Sequence, residues 1–104
     1  CAPAGAILVT KDHIKEVNNL NLSLSVNGKV RQKGNTKNMI FNVNYLIHHL
    51  SKYMILKPGT IISTGTPAGT GIEQKPPKFL QVGDKLELTI DNLGKQNYEI
   101  IEDK

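Results

Sequence analysis

The stretch Leu22-Ser23-Leu24-Ser25-Val26-Asn27-Gly28-Lys29-Val30-Arg31-Gln32-Lys33 decides the fold of this chain. Apolar and polar side chains alternate from Leu22 to Asn27, which is the two-residue period of a β-strand. Asn27-Gly28 then supplies the two positive φ angles of a type I′ turn. The segment from Lys29 to Lys33 returns as a second strand, so the stretch predicts an antiparallel β-hairpin.

The register of this hairpin raises a question about Arg31. A two-residue turn pairs Val26 with Lys29 and Leu24 with Arg31, which places all four side chains on one face. If that face is buried, Arg31 needs a partner or must lay its aliphatic stem along the core. The sequence leaves both options open, and a partner subunit or an upstream domain is one source of a carboxylate partner.

Outside the hairpin, the sequence predicts one helix and several further strands. Asn42 is a good N-cap for a helix from Val43 to about Ile55, whose apolar residues follow helical spacing. Lys57-Pro58-Gly59 ends that helix. The further predicted strands are Ala6–Thr10, Thr60–Thr64, Lys85–Asp91 and Gln96–Ile101. About six strands and one helix without a βαβ rhythm predict an α+β fold that is mostly antiparallel.

Composition excludes several functional classes. The 104 residues suffice for one core, and 38% hydrophobic with 21% charged residues is typical of a globular protein. No apolar run approaches the roughly 20 residues of a membrane helix, so no membrane partner is expected. The net charge of +4 is spread along the chain, which has only five aromatic residues. Nucleic-acid binding would need a concentrated basic patch, so it is not expected either.

The single cysteine, Cys1, cannot form an internal disulfide. It therefore indicates a reducing compartment, the cytoplasm or an organelle matrix. Because no histidine is adjacent to it, Cys1 is not expected to be a nucleophile. The acidic residues show no tight Glu-x-Glu or Asp-x-Asp spacing, and His48 and His49 point about 100° apart on a helix. No complete metal site is therefore expected within this chain.

The segment Ser63–Gly71 is the most unusual part of the sequence because it follows a predicted strand and combines glycine, proline and threonine. Glycines let a backbone approach a ligand closely, and exposed N–H groups can hold an anion. The spacing fits neither a P-loop nor a dinucleotide-binding fingerprint. From the residues alone, an ordinary loop is the more common interpretation, and a site for a carboxylate-bearing ligand is the alternative.

A series of linked motifs runs along the chain, in the order Val26–Gln32, Gly34-Asn35-Thr36, Met39-Ile40-Phe41, Lys57–Ile62, Thr64–Gly71, Phe79-Leu80, Val82-Gly83-Asp84 and Asn92-Leu93-Gly94. Together they resemble the motifs of the fumarylacetoacetate hydrolase family. The resemblance covers nearly the whole chain. It implies a β-rich roll with short helices, usually a homodimer, in enzymes that hydrolyse, decarboxylate or isomerise 2-oxo and diketo acids.

The same resemblance implies Mg²⁺ or Mn²⁺, held by two Glu and one Asp beside a lysine, as a Lewis acid that chelates the 2-oxo acid. Those residues lie upstream of this segment in the family, and the start of the chain, Cys1–Gly5, is similar to the stretch just after the lysine. Residues 1–104 would then be the C-terminal portion of a single catalytic domain whose metal-binding half is absent. The partner would be the missing N-terminal half or another chain, and no catalytic or metal-ligating residue is assigned here.

The resemblance carries over a substrate-binding role to one loop. Thr66 matches the family's second threonine of Thr-Gly-Thr, which binds the substrate's carboxylate or oxo group. Gly65 would let the chain pass close to the ligand, and Thr64 is a further candidate. Glu87 lies near a glutamate that some members use in acid–base chemistry and is not included in the site. The alternative function is an inactive fragment that serves as an oligomerisation or anion-binding module.

Overall fold

A computed structural model describes residues 4–103, so the interpretation of Cys1 lies outside the described residues. Within that range one four-stranded antiparallel sheet has the order β2-β1-β3-β4. The elements are β1 Asn21–Val26, β2 Lys29–Asn35, α1 Val43–Ser51, β3 Lys85–Ile90 and β4 Gly94–Glu99, with 3₁₀ turns at Lys11–His13, Thr36–Asn38 and Gly71–Glu73. The predicted class, α+β and mostly antiparallel with one helix, is confirmed.

The predicted hairpin is present, but its register differs from the expected one. Asn27 and Gly28 have φ angles of 50° and 77°, as a type I′ turn requires. Val26 faces Lys29 as predicted, whereas Leu24 faces Gln32. The predicted Leu24–Arg31 pair is therefore wrong, because a β-bulge makes Arg31 an extra residue in β2.

Arg31 finds its partner in the long connection between the helix and the third strand. Its Nη1 donates a hydrogen bond of 2.7 Å to Oε1 of Gln74. The partner is therefore a neutral amide from the same chain. This contact also ties the connection to the bulged part of β2.

The sheet has one apolar and one polar face. Leu24 pairs with Leu88 and Val26 with Leu86, so the leucines of β1 and β3 share the apolar face. The polar face carries the hydroxyl contact of Ser23 with Thr89, 2.8 Å, and an ion pair of Lys95 with Glu87, 2.6 Å. The alternation predicted for both strands is confirmed. Among the described residues, however, only Leu20 and Val26 are buried apolar side chains.

An asparagine–aspartate pair closes each end of the β1·β3 ladder. At one end, Asn27 Nδ2 donates to Asp84 Oδ1 at 2.8 Å while its own Oδ1 accepts from the Lys85 N–H at 2.9 Å. At the other end, the backbone and side-chain amides of Asn21 both donate to Asp91 Oδ2. These bonds satisfy backbone groups where the ladder stops, so they fix the register of two strands that are distant in sequence.

Two residues at the end of β2, Asn35 and Thr36, attach the segment before β1 to the sheet. Thr36 Oγ1 donates to the Val17 carbonyl and accepts from the Leu20 N–H, both at 2.8 Å. Asn35 Nδ2 donates to the side-chain oxygens of Asn19 and Asn21. Asn35 and Thr36 therefore shape the end of the hairpin.

The helix begins where predicted and ends earlier. Asn42 Oδ1 accepts a 2.8 Å bond from the Tyr45 N–H, which confirms it as the N-cap. The helix ends at Ser51 and not near Ile55. The N–H groups of Lys52 and Tyr53 bond three residues back, to His49 and Leu50, so the last turn tightens and the helix stops.

Two predicted strands are not formed within the described residues. Ala6–Thr10 and Thr60–Thr64 are unpaired there, and their side chains include some of the most exposed apolar groups, with Leu8 at 87% and Ile61 at 85% exposure. The β-branched composition suits a strand, but a strand forms only against a neighbour. The prediction was wrong because the described part of this chain offers these segments no such neighbour.

The Asp84 contacts predict a pH-dependent contribution to stability. Its pKa is lowered mainly by the Gln81 backbone N–H, then by the Asn27 amide, with help from the positive charges of Arg31 and Lys78. A carboxyl with a depressed folded pKa stabilises the fold above its unfolded pKa of about 3.9 and loses this contribution as pH falls through the folded value.

We therefore expect Asp84→Asn to lower the free energy of unfolding near pH 7 and to have a shrinking effect as the pH falls below about 4. Chemical denaturation of both proteins across pH 2.5–7 measures this, with the exposed Asp12→Asn as the matched control. If the free energies of unfolding of the Asp84→Asn variant and wild type differ by the same amount at every pH, the stabilising role of the ionised Asp84 is contradicted.

Candidate functional site

The predicted substrate loop lies on the apolar face of the sheet, above β2. Gly34 in β2 packs against the Pro67 ring so closely that a Cβ at Gly34 would stand only 3.0 Å from it, and Leu22 lies beside the same contact. Thr64, Gly65 and Thr66 are all exposed. The structure therefore places the three predicted residues together at the surface.

A glutamine from β2 fixes this loop. Gln32 Nε2 donates 2.7 Å to Thr66 Oγ1 and 2.6 Å to the Pro67 carbonyl oxygen. Gln32 is half-buried, and its strand position is set by pairing with Leu24. An exposed loop residue is thereby attached to a rigid strand, which is how proteins hold binding groups in place.

The glycines of the loop fall into two kinds, which the sequence alone does not separate. Gly65 has φ +93° and open space where a side chain would stand. Gly69 has φ +106° and is pressed against the Arg31 carbonyl, while Gly71 is pressed against the Lys78 carbonyl. Gly69 and Gly71 therefore serve packing, and Gly65 is the one that leaves room for a ligand.

A carboxylate closes the far end of the loop. Glu73 Oε2 accepts hydrogen bonds from the N–H groups of Gly69 at 2.7 Å and Thr70 at 2.9 Å. The Gly69 bond is the largest cause of the lowered Glu73 pKa, followed by the Thr70 backbone bond. These two N–H groups, candidates for holding an anionic ligand, are already occupied by a side chain of the same loop.

A cleft of about 750 Å³ runs beside the loop. Its lining residues include Gln32, Gly69 and Thr70, and the charged residues that line it are Lys29, Arg31, Lys78 and Asp84. A second, shallower cleft of about 690 Å³ lies on the polar face. Neither is lined by Thr64, Gly65 or Thr66, so the predicted residues stand at an open surface next to the first cleft.

The beginning of the described chain also lies on the apolar face, at the opposite edge of the sheet. A side chain at Gly5 would collide with the Gln96 amide, and Gln96 shares a face with Leu88 because the two are paired across β3 and β4. Gly5, the last residue of the stretch that is similar to the one after the family's lysine, therefore shares a face with the Thr66 loop. Glu87 lies on the other face, paired with Lys95.

The described residues do not assemble a metal site. Between residues 4 and 103, no three His, Cys, Asp or Glu side chains lie close enough to hold one ion. His48 is exposed, and His49 is stacked on Tyr45 and tilted against Tyr53. Within the same range, no helix is long and apolar enough to cross a membrane.

The stacking of His49 belongs to a row that sequence reasoning missed. Phe41 just before α1, Tyr45 and His49 within it and Tyr53 just after it follow one another with ring-centroid distances of 4.7, 5.9 and 5.1 Å. All four side chains are exposed. Their spacing of four residues is the signal that could have revealed the row, since residues four apart lie on the same side of a helix.

Comparison with known proteins gives a consistent result. The fumarylacetoacetate (FAA) hydrolase C-terminal family matches residues 1–101. A protein of Staphylococcus aureus (strain USA300) of uncharacterised function is 51% identical over 92 residues, which is 88% of this chain and 31% of that protein. The chain thus spans about a third of the length of the curated relatives it matches.

Two solved structures extend the comparison to the fold. A fumarylacetoacetate hydrolase from the psychrophile Exiguobacterium antarcticum superimposes with a TM-score of 0.92 at 36% identity, covering 97% of this chain and 36% of that one. Maleylpyruvate hydrolase from Sphingobium sp. SYK-6, in complex with manganese(II) ion and pyruvate, has a TM-score of 0.83 at 32% identity, covering 93% and 34%.

The two kinds of glycine predict different costs of substitution. Gly69→Ala combines a positive φ with a collision against the Arg31 carbonyl, so we expect a loss of roughly 3 kcal/mol or more in the free energy of unfolding. Gly83→Ala is the matched control, because φ is +89° there but the space is open. It should cost only the left-handed strain of about 1–2 kcal/mol. If chemical denaturation shows that Gly69→Ala and Gly83→Ala lower the free energy of unfolding equally, the packing role of Gly69 is contradicted.

Proposed function

The chain belongs to the fumarylacetoacetate hydrolase family, and from that membership we propose that it forms one side of the active site of a divalent-metal-dependent enzyme acting on 2-oxo or diketo acids. Hydrolysis or isomerisation of an acylpyruvate-like substrate is the proposed reaction class. The maleylpyruvate hydrolase and the fumarylacetoacetate hydrolase among the solved neighbours support it.

The observation that carries this proposal is the exposed loop Thr64–Thr66, held on a strand by Gln32. A hydroxyl at Thr66 and open space at Gly65 suit a ligand that ends in a carboxylate or an oxo group. Hydrogen bonds to a charged oxygen are stronger than neutral ones, so one fixed hydroxyl is an effective anchor for such a group. In this proposal Thr66 binds and orients the substrate's 2-oxo acid end.

The proposed metal, Mg²⁺ or Mn²⁺, would be held by residues outside this chain. Residues 4–103 bring no three suitable ligands together and therefore do not fit a metal centre by themselves. Support for a divalent metal comes from the Sphingobium structure, whose manganese(II) ion is accompanied by pyruvate. Pyruvate is itself a 2-oxo acid, which agrees with the proposed substrate class.

The test is steady-state kinetics of a family-length protein that contains this chain, with acylpyruvates, fumarylpyruvate and oxaloacetate as substrates and Mg²⁺ or Mn²⁺ added. We expect Thr66→Val to lower kcat/KM about tenfold, because one hydrogen bond to a charged oxygen is lost. Ser51→Ala, which removes an exposed hydroxyl at the end of α1, is the matched control and should behave as wild type. No metal-dependent turnover by the wild-type protein would favour the inactive module instead.

Surface area supports the further proposal that this chain needs a covering partner. A compact protein of 11.5 kDa exposes about 5,800 Å², whereas this chain exposes 8899 Å². Its radius of gyration is 15.5 Å, compared with about 13 Å for a compact domain of this length. The excess area is as large as one partner's share of an extensive permanent interface.

We propose that the rest of a family-length polypeptide covers much of this surface, and that two such proteins form a homodimer. The unpaired segments Ala6–Thr10 and Thr60–Thr64 carry some of the most exposed apolar side chains, among them Ile7, Leu8 and Ile61. Their backbone groups need hydrogen-bond partners if they are to be buried. A sheet from the remainder of the protein would supply both the partners and the cover.

Hydrogen exchange distinguishes this arrangement from an exposed loop. Within the described residues, no backbone hydrogen bond protects the N–H groups of Ile61–Thr64. We expect fast exchange of these amides in the isolated 104-residue chain and slowing by at least about a hundredfold in the family-length protein. The amides of β1 are an internal control, since this strand is paired with β2 and β3 within this chain and should exchange slowly in both proteins. Equally fast exchange in both proteins would contradict strand pairing by these segments.

A further inference from the structure

We propose that Gln32 is a positioning residue that makes the Thr66 hydroxyl a hydrogen-bond donor toward the ligand. The inference rests on the proposed function, because it concerns how Thr66 would hold the oxo-acid group. It adds a residue 34 positions away in sequence, on a different element, to the binding apparatus. Gln32 itself need not touch the substrate.

The first step concerns which end of the Gln32 amide faces the loop. The side chain lies 2.6 Å from the Pro67 carbonyl oxygen, and a carbonyl oxygen can only accept a hydrogen bond. The nitrogen of the amide must therefore be the atom that faces the loop. The same nitrogen lies 2.7 Å from Thr66 Oγ1, so the amide donates to both groups.

The second step concerns the hydroxyl proton of Thr66. Because Oγ1 accepts from Gln32, the hydroxyl proton must point away from the amide nitrogen. Thr66 is exposed, and its hydroxyl makes no other hydrogen bond within residues 4–103. A carboxylate or an oxo oxygen can only accept, so it requires a donor, and this arrangement presents one at the open side of the loop.

The third step concerns rigidity. A threonine hydroxyl on a free loop could rotate its proton in several directions and would lose that freedom on binding. Gln32 comes from the bulged strand β2, where it faces Leu24, and Pro67 packs on the neighbouring Gly34. The hydroxyl is therefore oriented before the ligand arrives, which lowers the entropic cost of binding.

A purely structural role for Gln32 makes a different prediction from a positioning role. If Gln32 only anchored the loop through Pro67, its replacement would lower the fraction of folded protein, and the molecules that still fold would bind the ligand with unchanged affinity. If Gln32 positions the Thr66 hydroxyl, its replacement weakens ligand binding, and it does so only in proteins that have threonine at position 66. A double-mutant cycle between the two positions separates these cases.

The experiment uses a family-length protein with Mg²⁺ and pyruvate as the probe, with Kd measured by isothermal titration calorimetry. We expect Gln32→Met to weaken pyruvate binding severalfold and Gln32→Glu to weaken it by about tenfold or more, because a carboxylate would accept the Thr66 proton itself. Asn97→Asp is the matched control for the added charge. Asn97 is exposed on the polar face, and its substitution should leave Kd unchanged.

The decisive measurement is Gln32→Met in the Thr66→Val background, where we expect no further loss of affinity. Additive losses, or an unchanged Kd in the single Gln32→Met variant, would overturn the positioning role while pyruvate binding by wild type still supports the proposed function. Wild-type protein that neither binds pyruvate nor turns over an oxo acid would overturn the proposed function, and this inference with it. The two failures are thus distinguishable.

Discussion

The pairing of β1 with β3 is the interaction on which the rest of the structure depends. It joins two local hairpins across a sequence separation that runs from Leu22 to Ile90. Closing so long a loop costs conformational entropy, and only contacts between the two distant strands can offset that cost. The asparagine–aspartate pairs at both ends of the ladder, Asn27 with Asp84 and Asn21 with Asp91, help to offset this cost and set the register. Helix α1 and the Thr66 loop both lie in the excursion between these strands, so their positions follow from this ladder.

Local patterns predicted the local elements of the fold. The Asn27-Gly28 turn, the alternation in the first and third strands and the Asn42 cap each depend on neighbouring residues, and each is present. The bulge at Arg31 was not predictable, because it is set by packing against residues far along the chain, among them Gly69 and Gln74. The segments around Leu8 and Ile61 have the composition of strands but lack a neighbour in this part of the molecule.

The candidate site was predictable only in part, and for the same reason. The family motif identifies Thr66 and Gly65, and the structure shows both exposed on the apolar face. The motif does not indicate that Gln32 holds the Thr66 hydroxyl, since that contact depends on the register of β2. The motif also does not distinguish Gly65 from Gly69, because the two glycines differ in whether a carbonyl group occupies the space beside them.

The two outer strands bear on how the chain avoids unwanted association. β2 begins at Lys29 and also carries Lys33, while β4 contains Lys95 and ends at Glu99, all of them exposed. Charged residues on a free sheet edge oppose the addition of a foreign strand, because pairing would bring like charges together or strip them of water. Aggregation by edge-to-edge growth is therefore discouraged at both rims of the sheet. The unpaired segments Ala6–Thr10 and Thr60–Thr64 carry no charged side chain, so this form of protection is absent from them.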